Sequence, residues 1–168
     1  GHKSKRLEGD STTTGTESHA DASMEKNIDK AMVAKEEGNM FYKEKDYDNA
    51  IAMYNNALDL CPDDVEYDES YAIFLGNRSA AFFCLQEWNE CALDCTEALE
   101  TKPDFHKIRM RRCQAYEKME KYEAALEDAK YVQSSSPNYP KIHDTVRRLH
   151  HAHDSKMEEM KTEAMGKL

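Results

Sequence analysis

The sequence has few residues that interrupt helices, and it has no long apolar segment. Its 168 residues include only six glycines and four prolines, both of which disfavour helix interiors. Alanine, glutamate, lysine, aspartate and methionine are plentiful, so the composition favours an all-α fold over a sandwich or barrel. The mean hydropathy is -0.90, and no apolar run reaches the roughly 18 residues that a transmembrane helix needs.

Sequence signatures of enzymes are also missing. There is no Gly-rich phosphate loop, no Gly-x-Ser-x-Gly elbow and no His-Glu-x-x-His motif. We therefore expect no enzymatic activity, no cofactor and no metal. The 33 acidic against 23 basic residues give a net charge of -10, which argues against a nucleic-acid binder because such affinity depends on cations. Taken alone, this charge predicts a basic partner.

The cysteines do not form a pattern typical of disulfides or metal sites. Their number is odd, none forms a Cys-x-x-Cys pair and no signal peptide precedes them: Cys61, Cys84, Cys91, Cys95 and Cys113. We interpret them as reduced thiols in a cytosolic or nuclear protein, with the cytoplasm as the expected location. Cys91 and Cys95 share a helix face and are interpreted as packing residues, with a metal or redox role as the alternative.

Two further polar clusters have a simple interpretation and an alternative. The patch of His150, His151 and His153 is interpreted as solvated surface, and metal binding is the alternative. A second cluster is acidic, and it is interpreted as a solvated turn or as a contact for a basic partner: Asp63, Asp64, Glu66, Asp68 and Glu69.

The two ends of the chain differ in composition. Residues 1–23 have almost nothing to bury and are predicted to be a disordered leader, whose first residues resemble a cloning remnant. The run 156–168 strongly favours a helix and has no stop signal. We therefore expect the helix predicted over 141–168 to be truncated, and the chain to be a fragment of a longer protein.

An internal repeat organises the chain between these ends. Pro62, Pro103 and Pro137 each close a helical stretch, and small or aromatic residues recur at fixed offsets before them. The small positions are Ala57, Ala98, Val132, Ala50, Cys91, Ala125, Gly38, Ser79 and Cys113; the aromatic ones are Phe41, Phe82, Tyr116, Tyr47, Trp88 and Tyr122. An insertion at 65–71 lengthens the first interval. The pattern predicts three helix hairpins, which must stack because one hairpin cannot bury its own apolar face.

The segment after the last repeat has a narrow apolar stripe. Ile142, Val146 and Leu149 follow at spacings of four and three on an otherwise polar helix. We expect this helix, over 141–168, to cap the last hairpin, with its polar second half projecting.

The repeat resembles the tetratricopeptide repeat, a helix-turn-helix unit of about 34 residues. The resemblance covers three repeats, 31–64, 72–105 and 106–139, within a domain over 24–140. It implies a right-handed α-α superhelix of three hairpins plus the C-terminal capping helix, with the first helix of each hairpin lining a concave groove.

Polar residues of those first helices suggest what the groove binds. Lys35 and Asn39 are four apart, as are Lys107 and Arg111, so each pair shares a helix face; Asn77 lies on the third helix. These five positions resemble the two-carboxylate clamp of co-chaperone tetratricopeptide domains, which bind the acidic C-terminal tails of Hsp70 and Hsp90. The resemblance also implies flanking contacts to the tail from Tyr42, Ala80, Phe83 and Met110.

The expected function is therefore a non-enzymatic adaptor for a chaperone tail. Helix 106–119 carries five basic side chains against one acidic side chain, and this local field predicts an acidic partner despite the acidic whole. Two alternatives stay open at this point. The groove holds a different peptide or protein with the clamp unused, or the chain is a metal-dependent or redox enzyme built on its His and Cys residues.

Overall fold

The computed structural model describes residues 25–167, so the predicted leader over 1–23 lies outside the described residues. Seven α-helices and one 3-10 turn make up this range. They are α1 (Ile28–Lys43), α2 (Tyr47–Leu60), the 3-10 turn Val65–Tyr67, α3 (Asp68–Cys84), α4 (Trp88–Thr101), α5 (His106–Lys118), α6 (Tyr122–Ser135) and α7 (Ile142–Gly166). No strand occurs between residues 25 and 167, and the all-α prediction is confirmed.

Consecutive helices pack as three hairpins, α1–α2, α3–α4 and α5–α6, which stack through α2–α3 and α4–α5. Close approach within the first hairpin depends on Gly38. A Cβ atom on Gly38 would lie 2.6 Å from a ring carbon of Tyr54, so α1 and α2 meet at the distance that only glycine permits. Tyr54 fills the space beside it and is 1% exposed.

The three hairpin turns repeat one backbone conformation. Lys45, Gln86 and Glu120 each have a positive φ of 56 to 61° and each stands two residues before the second helix of its hairpin. In the first turn, the N–H of Asp46 donates to the carbonyl of Phe41 and that of Lys45 to Tyr42, which is the Schellman pattern of helix termination. In each turn, a residue other than glycine therefore adopts the left-handed backbone conformation.

Buried ion pairs join the two helices of the second and third hairpins. Arg78 donates from Nε and Nη2 to both oxygens of Asp94, each at 2.8 Å. Arg112 makes the same pair with Asp128, at 2.9 and 2.6 Å. The two carboxylates are 1% and 3% exposed, so these pairs belong to the hairpin interior.

The capping helix α7 packs on α6 through its apolar stripe. Ile142, Val146 and Leu149 are buried in a core cluster with residues of α5 and α6, as the spacing predicted. The second half of α7 stays helical to Gly166, with Met157 and Met160 each 53% exposed. Within the described range, no helix has the length and apolar character needed to cross a membrane.

Candidate peptide-binding groove

The first helices of the three hairpins line one open groove with a cavity of about 300 Å³. Its lining residues come from α1, α2, α3 and α5: Glu36, Asn39, Tyr42, Lys43, Tyr54, Asn77, Ala80, Lys107 and Arg111. Six of these were predicted as site residues from the sequence. The groove therefore brings together amides, cations and aromatic rings from helices that are far apart in the chain.

A hydrogen-bond network fixes the orientation of Asn39 at the centre of the groove. Its Oδ1 accepts from the Tyr54 hydroxyl at 2.6 Å and from Nδ2 of Asn77 at 3.3 Å. With the side-chain oxygen occupied by two donors, the amide of Asn39 presents its NH₂ donors to the groove. Burial raises the pKa of Tyr54 to about 12, so its hydroxyl stays protonated and keeps donating at neutral pH.

Arg111 is anchored to α3 by neutral groups only. Its Nη1 donates to the carbonyl of Gly76 at 3.0 Å and to the Ser79 hydroxyl at 3.1 Å. Ser79 in turn donates to the same Gly76 carbonyl at 2.6 Å. These contacts hold the guanidinium in place without neutralising it, so its charge remains available to a carboxylate in the groove.

Two lysines add to the positive charge of the groove. Lys107 comes from α5 and Lys43 from the last turn of α1. Neither forms a salt bridge with a carboxylate of residues 25–167. Lys43 was not predicted as a site residue, although its position four residues after Asn39 places both on one face of α1.

Lys35 forms a salt bridge with the neighbouring Glu36 and does not line the cavity. Its Nζ lies 2.9 Å from Oε1 of Glu36, and its side chain is 14% exposed against 65% for that of Glu36. The hydrogen bond and charge of Lys35 hold the pKa of Glu36 below its ordinary value, with a further hydrogen bond from Asn39. Glu36 lines the groove, so its carboxylate contacts two of the predicted clamp residues.

The four predicted flanking residues divide into two groups. Tyr42 and Ala80 line the groove; the Tyr42 hydroxyl lies 3.5 Å from Sγ of Cys84, and this hydrogen bond and burial raise its pKa to about 12. Phe83 and Met110 are not lining residues. Phe83 packs edge-on against Trp88 with ring centroids 4.9 Å apart, and Met110 packs against the core cluster beneath α7.

The basic side chains of α5 do not all face the groove, which corrects the local field expected from the sequence. Arg112 pairs with Asp128, and Arg109 both approaches Asp128 at 3.5 Å and lies over the ring of Tyr131 at 3.8 Å. Helical rotation of about 100° per residue turns these side chains into the hairpin. Only Lys107 and Arg111 bring the charge of α5 to the groove.

Comparison with known proteins finds one matching family model, relatives of similar sequence and solved structures of similar fold. The family model described as TPR repeat matches residues 38–67. The mitochondrial import receptor subunit TOM70 of Rattus norvegicus is 39% identical over 119 residues, which is 71% of this chain and 19% of the receptor. The chain thus spans about a fifth of that relative's length.

Two solved structures share the fold over most of their length. The first TPR of Spaghetti (RPAP3) bound to the HSP90 peptide SRMEEVD has a TM-score of 0.67 and 28% identity, covering 77% of this chain and 97% of that one. The second TPR domain of human RPAP3 in complex with the HSP70 peptide SGPTIEEVD has a TM-score of 0.62 and 25% identity, covering 72% and 95%. The described chain has the superhelical fold of these domains.

Proposed function

We propose that this chain, whose three helix hairpins form a tetratricopeptide-repeat domain, is an adaptor that binds the acidic C-terminal tail of Hsp70 or Hsp90. The proposed clamp consists of Lys35, Asn39, Asn77, Lys107 and Arg111. The observation that carries the proposal is the meeting in one groove of two amides and three cations from three helices, and none of these cations has a salt-bridge partner among residues 25–167. A cytoplasmic location, where reduced cysteines persist, is part of the proposal.

The chemistry of the groove suits the end of such a tail. A chain ending in Glu-Glu-Val-Asp has two carboxylates on its last residue, one from the main chain and one from the side chain. Lys107 and Arg111 supply charge-assisted hydrogen bonds, each contributing roughly 1.5–3 kcal/mol. The NH₂ of Asn39 donates to a carboxylate oxygen, and Asn77 can accept from a peptide N–H, which fixes the direction of the tail.

Two residues that the sequence analysis did not single out have roles in this proposal. A tail carboxylate that reaches Lys35 replaces the carboxylate of Glu36, so Glu36 lowers the net gain from that contact. Lys43 lies one helical turn beyond Asn39 and lines the same groove, where its charge can meet an acidic side chain upstream of the terminal residue.

The similar domains support the same partner class. The peptides bound to the two RPAP3 domains, SRMEEVD and SGPTIEEVD, share the ending EEVD. We include in the proposal a narrower resemblance, to tetratricopeptide repeat protein 1, which rests on the order of Ser/Thr-rich leader, three repeats and the terminal run MEEMKTEAMGKL.

Calorimetric titration of the peptide SRMEEVD tests the proposal. We expect the double variant Lys107→Ala, Arg111→Ala to bind at least about tenfold more weakly than the unmodified protein, a loss of about 1.4 kcal/mol or more, with unchanged helicity by circular dichroism. The matched control is Arg147→Ala on α7, an exposed arginine whose partner is the exposed Asp144. Retained affinity in the double variant would favour the alternative, a groove that holds a different partner with the clamp unused.

A further inference from the structure

A second groove lies between the start of α6 and the second half of α7. It encloses about 440 Å³ and shares no residue with the concave groove. Its lining combines apolar and charged side chains: Glu120, Lys121, Tyr122, Glu123, Ala124, Glu127, His153, Lys156, Met157 and Met160. We call it the α6–α7 groove.

The floor of the α6–α7 groove continues the apolar stripe of the capping helix. The stripe begins with Ile142, Val146 and Leu149, which α6 covers. Met157 and Met160 follow on the same side of α7 at helical spacing, beside the first turn of α6, and each is 53% exposed. The helix therefore presents apolar side chains that no described element covers fully.

The rim of the α6–α7 groove carries three glutamates against two lysines, Lys121 and Lys156. Glu123 and Glu127 are four residues apart on the first turns of α6 and share one face of it, and Glu120 lies in the left-handed turn before that helix. Lys156 lies 3.5 Å from Glu120 and offsets one of these charges. Glu123 and Glu127 have no basic partner among residues 25–167.

We propose that the α6–α7 groove docks a basic amphipathic helix of another protein. Methionine side chains are flexible and polarisable, so they adapt to the apolar face of an incoming helix. Glu123 and Glu127 select lysine or arginine on the flank of that helix through charge complementarity. The chain would then bind partners of opposite charge at two places, an acidic tail in the concave groove and a basic helix at α7.

A second copy of the chain fits this groove less well than a foreign helix. The most basic helix, α5, already buries its apolar residues Ile108, Cys113 and Ala115 in the core. The basic first half of α7 buries its stripe against α6. Neither helix can offer both a basic flank and a free apolar face without unfolding part of its own domain.

Fluorescence anisotropy with a labelled synthetic helix tests the proposal at physiological ionic strength. The probe is a leucine–lysine peptide with leucines at helical i, i+3 and i+4 spacing, and it is compared with a scrambled peptide of the same composition. We expect the helical peptide to bind at least about tenfold more tightly than the scrambled one. The same peptide with glutamate for lysine should not bind.

Variants of the protein locate the contact. Met157→Ser with Met160→Ser, and separately Glu123→Lys with Glu127→Lys, should each weaken binding at least about tenfold. The matched control is Met165→Ser, a methionine of the same helix that is 65% exposed and lies outside the groove; it should leave affinity unchanged. Circular dichroism checks that α7 stays helical in every variant.

Four outcomes would overturn the proposal. Equal binding of the scrambled peptide, or equal affinity of all variants, would reduce the effect to non-specific attraction by an acidic protein. A dimer in sedimentation velocity that the two serine substitutions dissolve would make the groove an interface between copies of this chain. Displacement of the probe by SRMEEVD would move the contact to the concave groove.

Discussion

Arg111 and Arg112 are consecutive in the sequence, yet they belong to two regions that treat charge in opposite ways. In the hairpin interior, Arg112 is paired with the buried carboxylate of Asp128. In the concave groove, Arg111 is held by the Gly76 carbonyl and the Ser79 hydroxyl, which are neutral. Arg112 therefore joins two helices of one repeat, whereas the charge of Arg111 remains available to a ligand.

This difference shows why counting charges along a helix is a poor guide to the field at a site. Five basic side chains on α5 predicted a strongly positive groove wall, but Arg109 and Arg112 are turned towards Asp128. What distinguishes the groove is that its lining cations, Lys43, Lys107 and Arg111, form no salt bridge with a carboxylate of residues 25–167. Substitutions in the two regions should therefore affect different quantities.

The largest expected effect is in the hairpin interior. Asp128→Ala leaves the guanidinium of Arg112 buried without its partner, so we expect the free energy of unfolding to fall by about 3–5 kcal/mol. Urea denaturation measures it. The matched control is Asp144→Ala, whose carboxylate pairs with Arg147 on the surface and should cost about 0–1 kcal/mol. Similar values for the two variants would contradict the assigned role of the buried pair.

The next largest effect is expected at Gly38, where the hairpin interior meets the concave groove. Gly38→Ala forces a Cβ to within 2.6 Å of the Tyr54 ring. We expect the resulting overpacking to lower the free energy of unfolding by about 1–3 kcal/mol. We also expect weaker binding of SRMEEVD, because Tyr54 orients Asn39. Gly166→Ala is the matched control, since a Cβ there has no neighbour within 4 Å. Thermal unfolding and calorimetry measure both effects; a stable, fully binding Gly38→Ala protein would show that the close approach is dispensable.

Removing one hydroxyl should separate binding from stability more cleanly. Tyr54→Phe keeps the packing but deletes the 2.6 Å hydrogen bond to Asn39, which contributes about 1 kcal/mol. We expect a severalfold loss of peptide affinity, because the Asn39 side-chain oxygen then keeps only the longer hydrogen bond from Asn77 and its amide is less firmly oriented. Tyr122→Phe is the control, a tyrosine at the α6–α7 groove. Unchanged affinity in Tyr54→Phe would mean that the Asn39 orientation does not depend on Tyr54.

Added salt should have the smallest effect, and it should distinguish the concave groove from the hairpin interior without any substitution. Charges at an open groove are screened over about 10 Å at 0.1 M salt, whereas buried pairs are screened much less. Added sodium chloride should therefore weaken SRMEEVD binding severalfold while the melting temperature changes little. An affinity independent of salt would indicate that the groove binds its peptide through apolar contacts.

The fold could be predicted from the sequence because the repeated residue types mark the positions where helices contact each other. The small residue at Gly38 recurs as Ser79 and Cys113, and the aromatic residue at Phe41 recurs as Phe82 and Tyr116, since two helices must meet at these positions. The buried pairs were missed, although Arg78 and Arg112 are 34 residues apart, as are Asp94 and Asp128. A repeated arginine or aspartate does not by itself indicate a buried pair, because most such side chains are solvated.

Within the site, the sequence predicted which residues share a helix face but not how side chains of different helices meet. The bond from Tyr54 to Asn39 and the contact of Arg111 with Gly76 depend on how helices rotate against one another. The same rotation turns Phe83 towards Trp88. The left-handed turns at Lys45, Gln86 and Glu120 gave no signal, because none of them is glycine or asparagine.

The concave groove is proposed to bind a free C-terminus, and one calorimetric comparison tests this binding. The peptide SRMEEVD is titrated as the free acid and as its C-terminal amide, which removes a single negative charge from the last residue. The clamp predicts that the amide binds at least about tenfold more weakly. Equal affinity of the two peptides would contradict the clamp, because no residue of the groove would then be reading the terminal carboxylate.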